Sequence, residues 1–286
     1  MPPPTIAVIA QGAMGAGFGR RLTARGVTVT TSLAGRSARS AERAAAAGMC
    51  AVDDAAIAGA DIILSIIPPA EARALAERLA PHLAAAARKP LYADCNAISP
   101  ATAREVAGII TGTGAGFADG GLIGGPPRET DGYTPVLYAS GPGAEALTAL
   151  NAHGLDVRVT PGPVGAASAL KMSYAGITKG LVALASAMAL AATRAGAAEG
   201  FLAELERSQP QLLAWFRRMV PPSYDKAYRW NGEMEEIADY IGAAGGEAAG
   251  IYAAIARFYT QMAADNAGPR ADVAMIETFL AAKPPA

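Results

Sequence analysis

The stretch Ile6-Ala7-Val8-Ile9-Ala10-Gln11-Gly12-Ala13-Met14-Gly15 decides the fold. Its first four residues are apolar and mostly β-branched, which reads as a buried strand. Gly12 and Gly15 then mark a tight turn, and 15–25 has the composition of a helix. A strand, a glycine turn and a helix start in that order let backbone approach a pyrophosphate, whose charge sits against the unpaired N–H groups of the helix. Ala10 stands where the first glycine of such a fingerprint falls, and Gly12 and Gly15 match the second and third. Turns of this kind also occur with nothing bound, but the start of a βαβ unit is the context the motif requires. Gly12, Ala13 and Met14 are the expected pyrophosphate contacts.

The loop after the second strand selects the form of the dinucleotide. Thr31, Ser32 and Leu33 end that strand, and no carboxylate follows until Glu42. Proteins that prefer NAD place Asp or Glu near here to accept from the ribose 2′-hydroxyl. Arg36 can instead fork onto a 2′-phosphate and stack on adenine, and Ser37 can add a hydrogen bond. NADP(H) is therefore the expected cofactor. Arg39 either joins this site or faces water on the next helix.

Around these segments, β-branched runs at 6–9, 28–31, 62–66, 91–94, 116–119, 134–139 and 156–159 alternate with alanine-rich helical stretches. That alternation predicts an α/β doubly wound parallel sheet. Helices are expected at 15–25, 40–47, 70–86, 100–111 and 143–153. Strand signals cease after Gly165, where 166–194 reads as one helix of about 45 Å at 1.5 Å per residue. The rest is helical, broken at Pro210 and Pro221-Pro222. Pro161-Gly162-Pro163 is the natural boundary, giving a dinucleotide-binding domain at 1–162 and a connecting helix with an all-α domain at 163–286.

Composition removes several classes of function. Twenty-four basic and 25 acidic residues leave a net charge of −1 with no basic stripe, so nucleic acid is not an expected partner. Cys50 and Cys95 are the only cysteines and have no metal or redox spacing, which favours a reducing compartment. Met1-Pro2-Pro3-Pro4 lacks the features of a signal peptide. The longest apolar run, 180–192, falls short of the roughly 20 residues that span a bilayer. A cytoplasmic protein with no membrane segment and no metal is expected.

With these segments in view, the chain resembles the β-hydroxyacid dehydrogenase superfamily. It is most similar to the 6-phosphogluconate-dehydrogenase-like branch with a short helical C-terminal domain of unknown function. Four segments in order carry the resemblance over nearly the whole chain. The first is 6–15. The second, Ala60-Asp61-Ile62-Ile63-Leu64-Ser65-Ile66-Ile67-Pro68-Pro69, implies backbone contacts to the cofactor near Ile67 and Pro68, although a buried strand with a proline stop explains it too. The third, Asp94-Cys95-Asn96-Ala97-Ile98-Ser99-Pro100, places Asn96 near nicotinamide and substrate, at a position where the family usually has serine. Ser99-Pro100 reads independently as a helix N-cap with a first-turn proline.

The glycine-rich Asp119-Gly120-Gly121-Leu122-Ile123-Gly124-Gly125-Pro126-Pro127 matches the family's substrate loop, which implies Gly121, Leu122 and Ile123 as substrate contacts. Ile123 stands where these enzymes carry a serine that holds a substrate carboxylate. An apolar side chain cannot replace that hydrogen bond, so a substrate other than a small 3-hydroxy acid is expected. The stretch through Tyr138-Ala139-Ser140-Gly141 is also similar to imine reductases, a neighbouring branch.

The fourth segment runs from Gly165 to Ala175. Lys171 lies in an apolar, small-residue helix, a setting that lysines rarely occupy without a purpose or a partner. The resemblance implies that it is the catalytic lysine, and an ammonium can neutralise and protonate the oxygen formed as hydride reaches a carbonyl carbon. Ala175 replaces the family's asparagine. Lys179 falls on the same helix face and either contacts substrate or is a structural lysine. Tyr174 is a second candidate proton donor or a core aromatic. Trp230 and Met234 line a pocket or pack the core, and Glu233 stands near the family's second lysine.

Together these residues predict an NADP(H)-dependent oxidoreductase acting on a hydroxyl or carbonyl group. The alternatives are an imine reductase-like enzyme and a non-catalytic NADPH-binding protein. The resemblance further implies a homodimer.

Overall fold

The computed structural model describes residues 4–9, 12–243, 245 and 247–282. Ala10 and Gln11 of the glycine turn lie outside the described residues. Contacts divide the chain into two compact units, Met1–Met172 and Ser173–Ala286.

The first unit is built on one sheet: β1 (Thr5–Ile9), β2 (Thr28–Thr31), β3 (Cys50–Ala51), β4 (Ile62–Ser65), β5 (Leu91–Asp94), β6 (Gly116–Ile123), β7 (Val136–Ser140) and β8 (Asp156–Val159). The strand order is β3-β2-β1-β4-β5-β6-β7-β8. All neighbours are parallel except β6 and β7. Helices α1 (Ala13–Thr23), α2 (Ala38–Ala46), α3 (Asp54–Ala58), α4 (Ala72–Ala85), α5 (Pro100–Thr111) and α6 (Ala144–Leu147) connect the strands.

The sheet is buried on both faces, as expected where crossover helices cover a parallel sheet. Successive β1 side chains alternate between two cores. Ile6 and Val8 join Phe18, Leu22, Val29 and Leu64 on one face. Ala7 and Ile9 join Ile63, Leu79, Tyr92 and Phe117 on the other. The strand order reverses at β1, between β2 and β4, and this switch point is where open α/β sheets bind ligands beyond the strands' carboxyl ends.

The expected strands are all present. The short edge strand β3 and helix α3 carry too little periodic signal to be read from sequence. The helix expected at 143–153 is one α-turn, α6, continued as a 3-10 helix over Thr148–His153. Strand β6 runs four residues further than 116–119, because its antiparallel partner β7 continues the ladder to Ile123↔Val136.

Helix α7 (Ala166–Arg194) begins in the first unit, and its remainder belongs to the second. The division at Met172 lies inside this helix rather than at 162/163, because the helix's first turns are bonded to the sheet as described below. The second unit continues with α8 (Ala198–Ser208), α9 (Pro210–Met219), α10 (Ala227–Gly242), α11 (Ala249–Ala267) and α12 (Ala271–Ala281). Its core includes Trp230 edge-on to Tyr259 at 5.3 Å and Phe201 stacked on Phe279 at 5.6 Å.

Among the described residues, α7 is the one helix long and apolar enough by length and composition to cross a membrane. Its 18-residue window has a mean hydropathy of 1.6, and 44% of that window is buried. The unbroken run at 180–192 understated this length.

Candidate functional site

The N-terminus of α1 opens at the switch point. Gly12 is its N-cap, in extended backbone at φ −69°, with no side-chain cap and no acidic residue in the first turn. Gly12 and Ala13 are exposed and Met14 is half-buried against the core. A Cβ added to Gly12 would meet nothing within 4 Å. The described packing therefore leaves room beside Gly12, and the first N–H groups of α1 carry no side-chain cap. This is the arrangement an anionic pyrophosphate needs.

Arg36 and Ser37 follow β2 as expected, but both have partners in the fold. Arg36 Nη2 lies 3.1 Å from Glu71 Oε2, which sits in the 3-10 turn Pro69–Glu71 after β4. Ser37 is the N-cap of α2, its hydroxyl accepting from Ser40 N. Arg39 is exposed on α2. Of the second segment, Ile67 is buried and Pro68 exposed. The Ile67 N–H already donates to Asn96 Oδ1 at 2.6 Å, so the contact expected there is made within the protein.

A buried polar row crosses the strand ends. Ser65, Asp94, Asp119 and Ser140 pair in register on β4, β5, β6 and β7 and are at most 1% exposed. Paired residues on adjacent strands share a sheet face, so the row forms one wall. Asn96 closes it. Its amide donates to Ser65 Oγ and Asp94 Oδ2, both at 3.0 Å, and its backbone N–H donates to Asp94 Oδ1 at 3.0 Å.

Asn96 therefore differs from the expectation. A buried amide leaves no polar atom unpaired, and here every side-chain donor, together with Oδ1, turns into the wall. What Asn96 offers outward is its carbonyl, which accepts from Lys171 Nζ at 3.2 Å.

Asp119 anchors the lysine helix. Its Oδ2 accepts from Ser140 Oγ, Gly165 N and Ser168 N at 2.9–3.0 Å, and its Oδ1 accepts from Ser168 Oγ at 2.5 Å. A carboxylate on the first turn of α7 satisfies orphan N–H groups and complements the helix dipole. Gly121 lets the helix lie close to β6. A Cβ there would fall 2.7 Å from Ala167 O and 3.1 Å from Lys171 Cβ. Gly121 thus positions the lysine rather than presenting a side chain to substrate. Leu122 turns into the core, and Ile123, half-buried, ends β6.

Sequence reasoning missed the roles of Asp94 and Asp119. The available signal was an acid at the end of each of two apolar strand runs, where carboxylates are seldom buried without partners. Burial pushes the Asp94 carboxyl up to about 7. Asn96's backbone N–H opposes the rise, the neighbouring Asp119 adds to it, and Asn96's side chain and Lys171 lower it. The folded chain then holds this proton more tightly than the unfolded chain, whose carboxyl titrates near its usual value of about 4. Asp94's stabilising contribution is full below that value and is lost as pH rises through about 7. The melting temperature of the wild type should fall between pH 5 and pH 8 by several degrees more than that of Asp94→Asn. Parallel curves would contradict this.

In the second unit, Lys179 pairs with Glu233, and its ammonium lies 5.0 Å from the centre of the Trp230 ring. Its charge is balanced within the protein, so it brings no spare cation for a substrate acid. Trp230 and Met234 are core residues. Tyr174, expected in the core or as a donor, is 54% exposed.

A switch-point helix N-terminus open to an anion, on a mainly parallel sheet, defines a Rossmann-type dinucleotide-binding protein. Comparison with known proteins agrees. Residues 5–152 match the NAD binding domain of 6-phosphogluconate dehydrogenase, and residues 192–262 match a domain of unknown function (DUF1932). The chain belongs to the 6-phosphogluconate dehydrogenase NAD-binding family.

It is 30% identical to the conserved protein MTH1747, of unknown function and structurally similar to 3-hydroxyacid dehydrogenases, over 90% of this chain and 96% of that one, with a TM-score of 0.71. A 3-hydroxyisobutyrate dehydrogenase from Mycobacterium tuberculosis, solved with L-serine, shares the fold at 23% identity and a TM-score of 0.72, covering 98% of this chain and all of that one (100%). An uncharacterised 28.5 kDa protein of Methanothermus fervidus is 28% identical over 75% of this chain and 82% of its own length. The fold is thus similar to that of 3-hydroxyacid dehydrogenases, with the NAD binding domain of the 6-phosphogluconate dehydrogenase family.

Proposed function

We propose that this protein is an NADP(H)-dependent oxidoreductase that moves hydride between nicotinamide and a carbonyl or hydroxyl carbon, with Lys171 as the general acid and base. The observation that carries the proposal is the Lys171 ammonium held on the Asn96 carbonyl at the carboxyl ends of the strands. The open N-terminus of α1, with Gly12, Ala13 and Met14, is the group of residues that would hold the pyrophosphate, and Arg36 with Ser37 the 2′-phosphate. When bound, the dinucleotide supplies or accepts the hydride.

In the reducing direction, negative charge builds on the substrate oxygen as its carbon gains hydride. Lys171 neutralises that charge and transfers a proton to the oxygen, giving the alcohol and a neutral amine. In the oxidising direction the neutral amine takes the hydroxyl proton. The apolar Ile123 and the balanced Lys179 support a carbonyl substrate without the carboxylate of small 3-hydroxy acids. NADPH oxidation across small oxo acids, bulky ketones and cyclic imines tests this, with turnover expected on ketones. Turnover confined to imines would move the chemistry to CH–NH, and tight NADPH binding with no turnover would contradict an enzyme altogether.

The protein is further proposed to act as a homodimer in a reducing, cytoplasmic setting. Its two cysteines, exposed Cys50 and buried Cys95, are both free. On α7, Tyr174, Ile177, Leu184 and Met188 are each more than half exposed, and the less exposed Leu181 falls between them. Spacings of three and four residues make this an a/d seam, the pattern by which helices pair, and a second copy presents the same seam across a two-fold axis. Light scattering should give a dimer for the wild type and a monomer for the double variant Ile177→Glu, Leu184→Glu. A monomeric wild type would contradict it.

A further inference from the structure

Arg36 and Glu71 approach each other from the two sides of the switch point. Arg36 lies in the loop after β2, and Glu71 lies in the turn after β4. These are the two strands that flank β1. The pair is a single ion contact of 3.1 Å, with 24% of the Arg36 side chain and 48% of the Glu71 side chain exposed to water. It therefore joins the loops that follow β2 and β4 without being locked into the core.

A 2′-phosphate brings nearly two negative charges and several strong acceptors to the guanidinium it binds. A carboxylate that already holds that guanidinium both competes for its N–H donors and repels the incoming anion. With a 2′-hydroxyl in place of the phosphate, the same carboxylate is an acceptor of the kind NAD-binding proteins use. Resting on the NADP reading above, we propose that Glu71 is a specificity-determining residue. It holds Arg36 when no 2′-phosphate is present, weakens binding of the phosphorylated dinucleotide, and leaves the unphosphorylated form usable. Arg36 alone sets the direction of the preference, and Glu71 sets its size.

The experiment is calorimetric titration of the full-length protein with two adenosine half-cofactors, 2′,5′-ADP and 5′-AMP. The proteins compared are wild type, Glu71→Gln and Arg36→Ala. Glu71→Gln keeps the shape of the side chain and removes its charge. It is expected to tighten 2′,5′-ADP about tenfold while leaving 5′-AMP unchanged or slightly weaker, so that the ratio of the two affinities rises. Arg36→Ala is expected to bring the two ligands to similar affinity. A ratio unchanged in Glu71→Gln but lowered in Arg36→Ala would overturn the role of Glu71 and leave the NADP reading standing. A wild type that binds both ligands equally and is indifferent to Arg36→Ala would overturn both.

Discussion

Lys171→Ala is expected to cut turnover of a carbonyl substrate by about 10²–10⁴-fold, the range for loss of a positioned proton donor. NADPH affinity should stay within about threefold, because the change removes an interaction made with the reacting oxygen rather than with the dinucleotide. The proposed pyrophosphate contacts lie at the start of α1, after another strand, and need no lysine atom. Arginine at the same position keeps the charge but presents a planar fork whose proton is not released near neutral pH. Lys171→Arg should therefore recover little of the rate. Single-turnover kinetics with pre-bound NADPH separates the two effects. A parallel loss of binding and rate would instead mark Lys171 as a structural residue.

The second large effect is expected at Asp119. Alanine there removes the acceptor of four hydrogen bonds, from Ser140, Gly165 and, twice, Ser168. Two backbone N–H groups at the start of α7 would be left buried without partners, each costing about 1–3 kcal/mol. A total destabilisation of about 3–5 kcal/mol follows, in the range for breaking a buried charged network. Asp119→Asn keeps one acceptor and should cost less than half as much. Urea unfolding of the two variants beside the wild type measures the difference. A loss under about 1 kcal/mol for alanine would mean that α7 does not depend on this anchor. The variant should also lose turnover, since Lys171 rides on the helix that Asp119 holds.

Much of the sheet was legible in the sequence because it is a parallel sheet buried on both faces. Runs such as 6–9 and 62–65 are apolar throughout, and the glycine turn fixes which run comes first. The edge strand β3 escaped because two residues carry no period. At the site, residue types were easier to read than partners. Arg36 reads from sequence as a ligand for a 2′-phosphate and Lys179 as a substrate contact or a structural lysine, yet the carboxylates beside them lie 35 and 54 positions away in sequence. No spacing rule connects such pairs, which meet only once the strand order or the helix packing is known.

Asn96 shows the same limit. Its place after β5 was clear, but a side chain that can both donate and accept is equally suited to a ligand or to the ends of its own strands. Here it bonds Ser65, Ile67 and Asp94, and its backbone carbonyl accepts from Lys171. Gly121 was attached to the substrate by its neighbourhood, whereas its missing side chain is what admits Ala167 and Lys171. Asp94 and Asp119 read as ordinary strand ends until the register set them side by side.

The most direct test of the account is transfer of deuterium from NADPH labelled at the nicotinamide C4 position, followed in the product by mass spectrometry. The wild type is predicted to place one deuterium on the former carbonyl carbon of a ketone substrate, and Lys171→Ala, still binding NADPH, is predicted to show almost none. Binding of NADPH by the wild type with no deuterium in the product of any ketone, oxo acid or imine tried would contradict it.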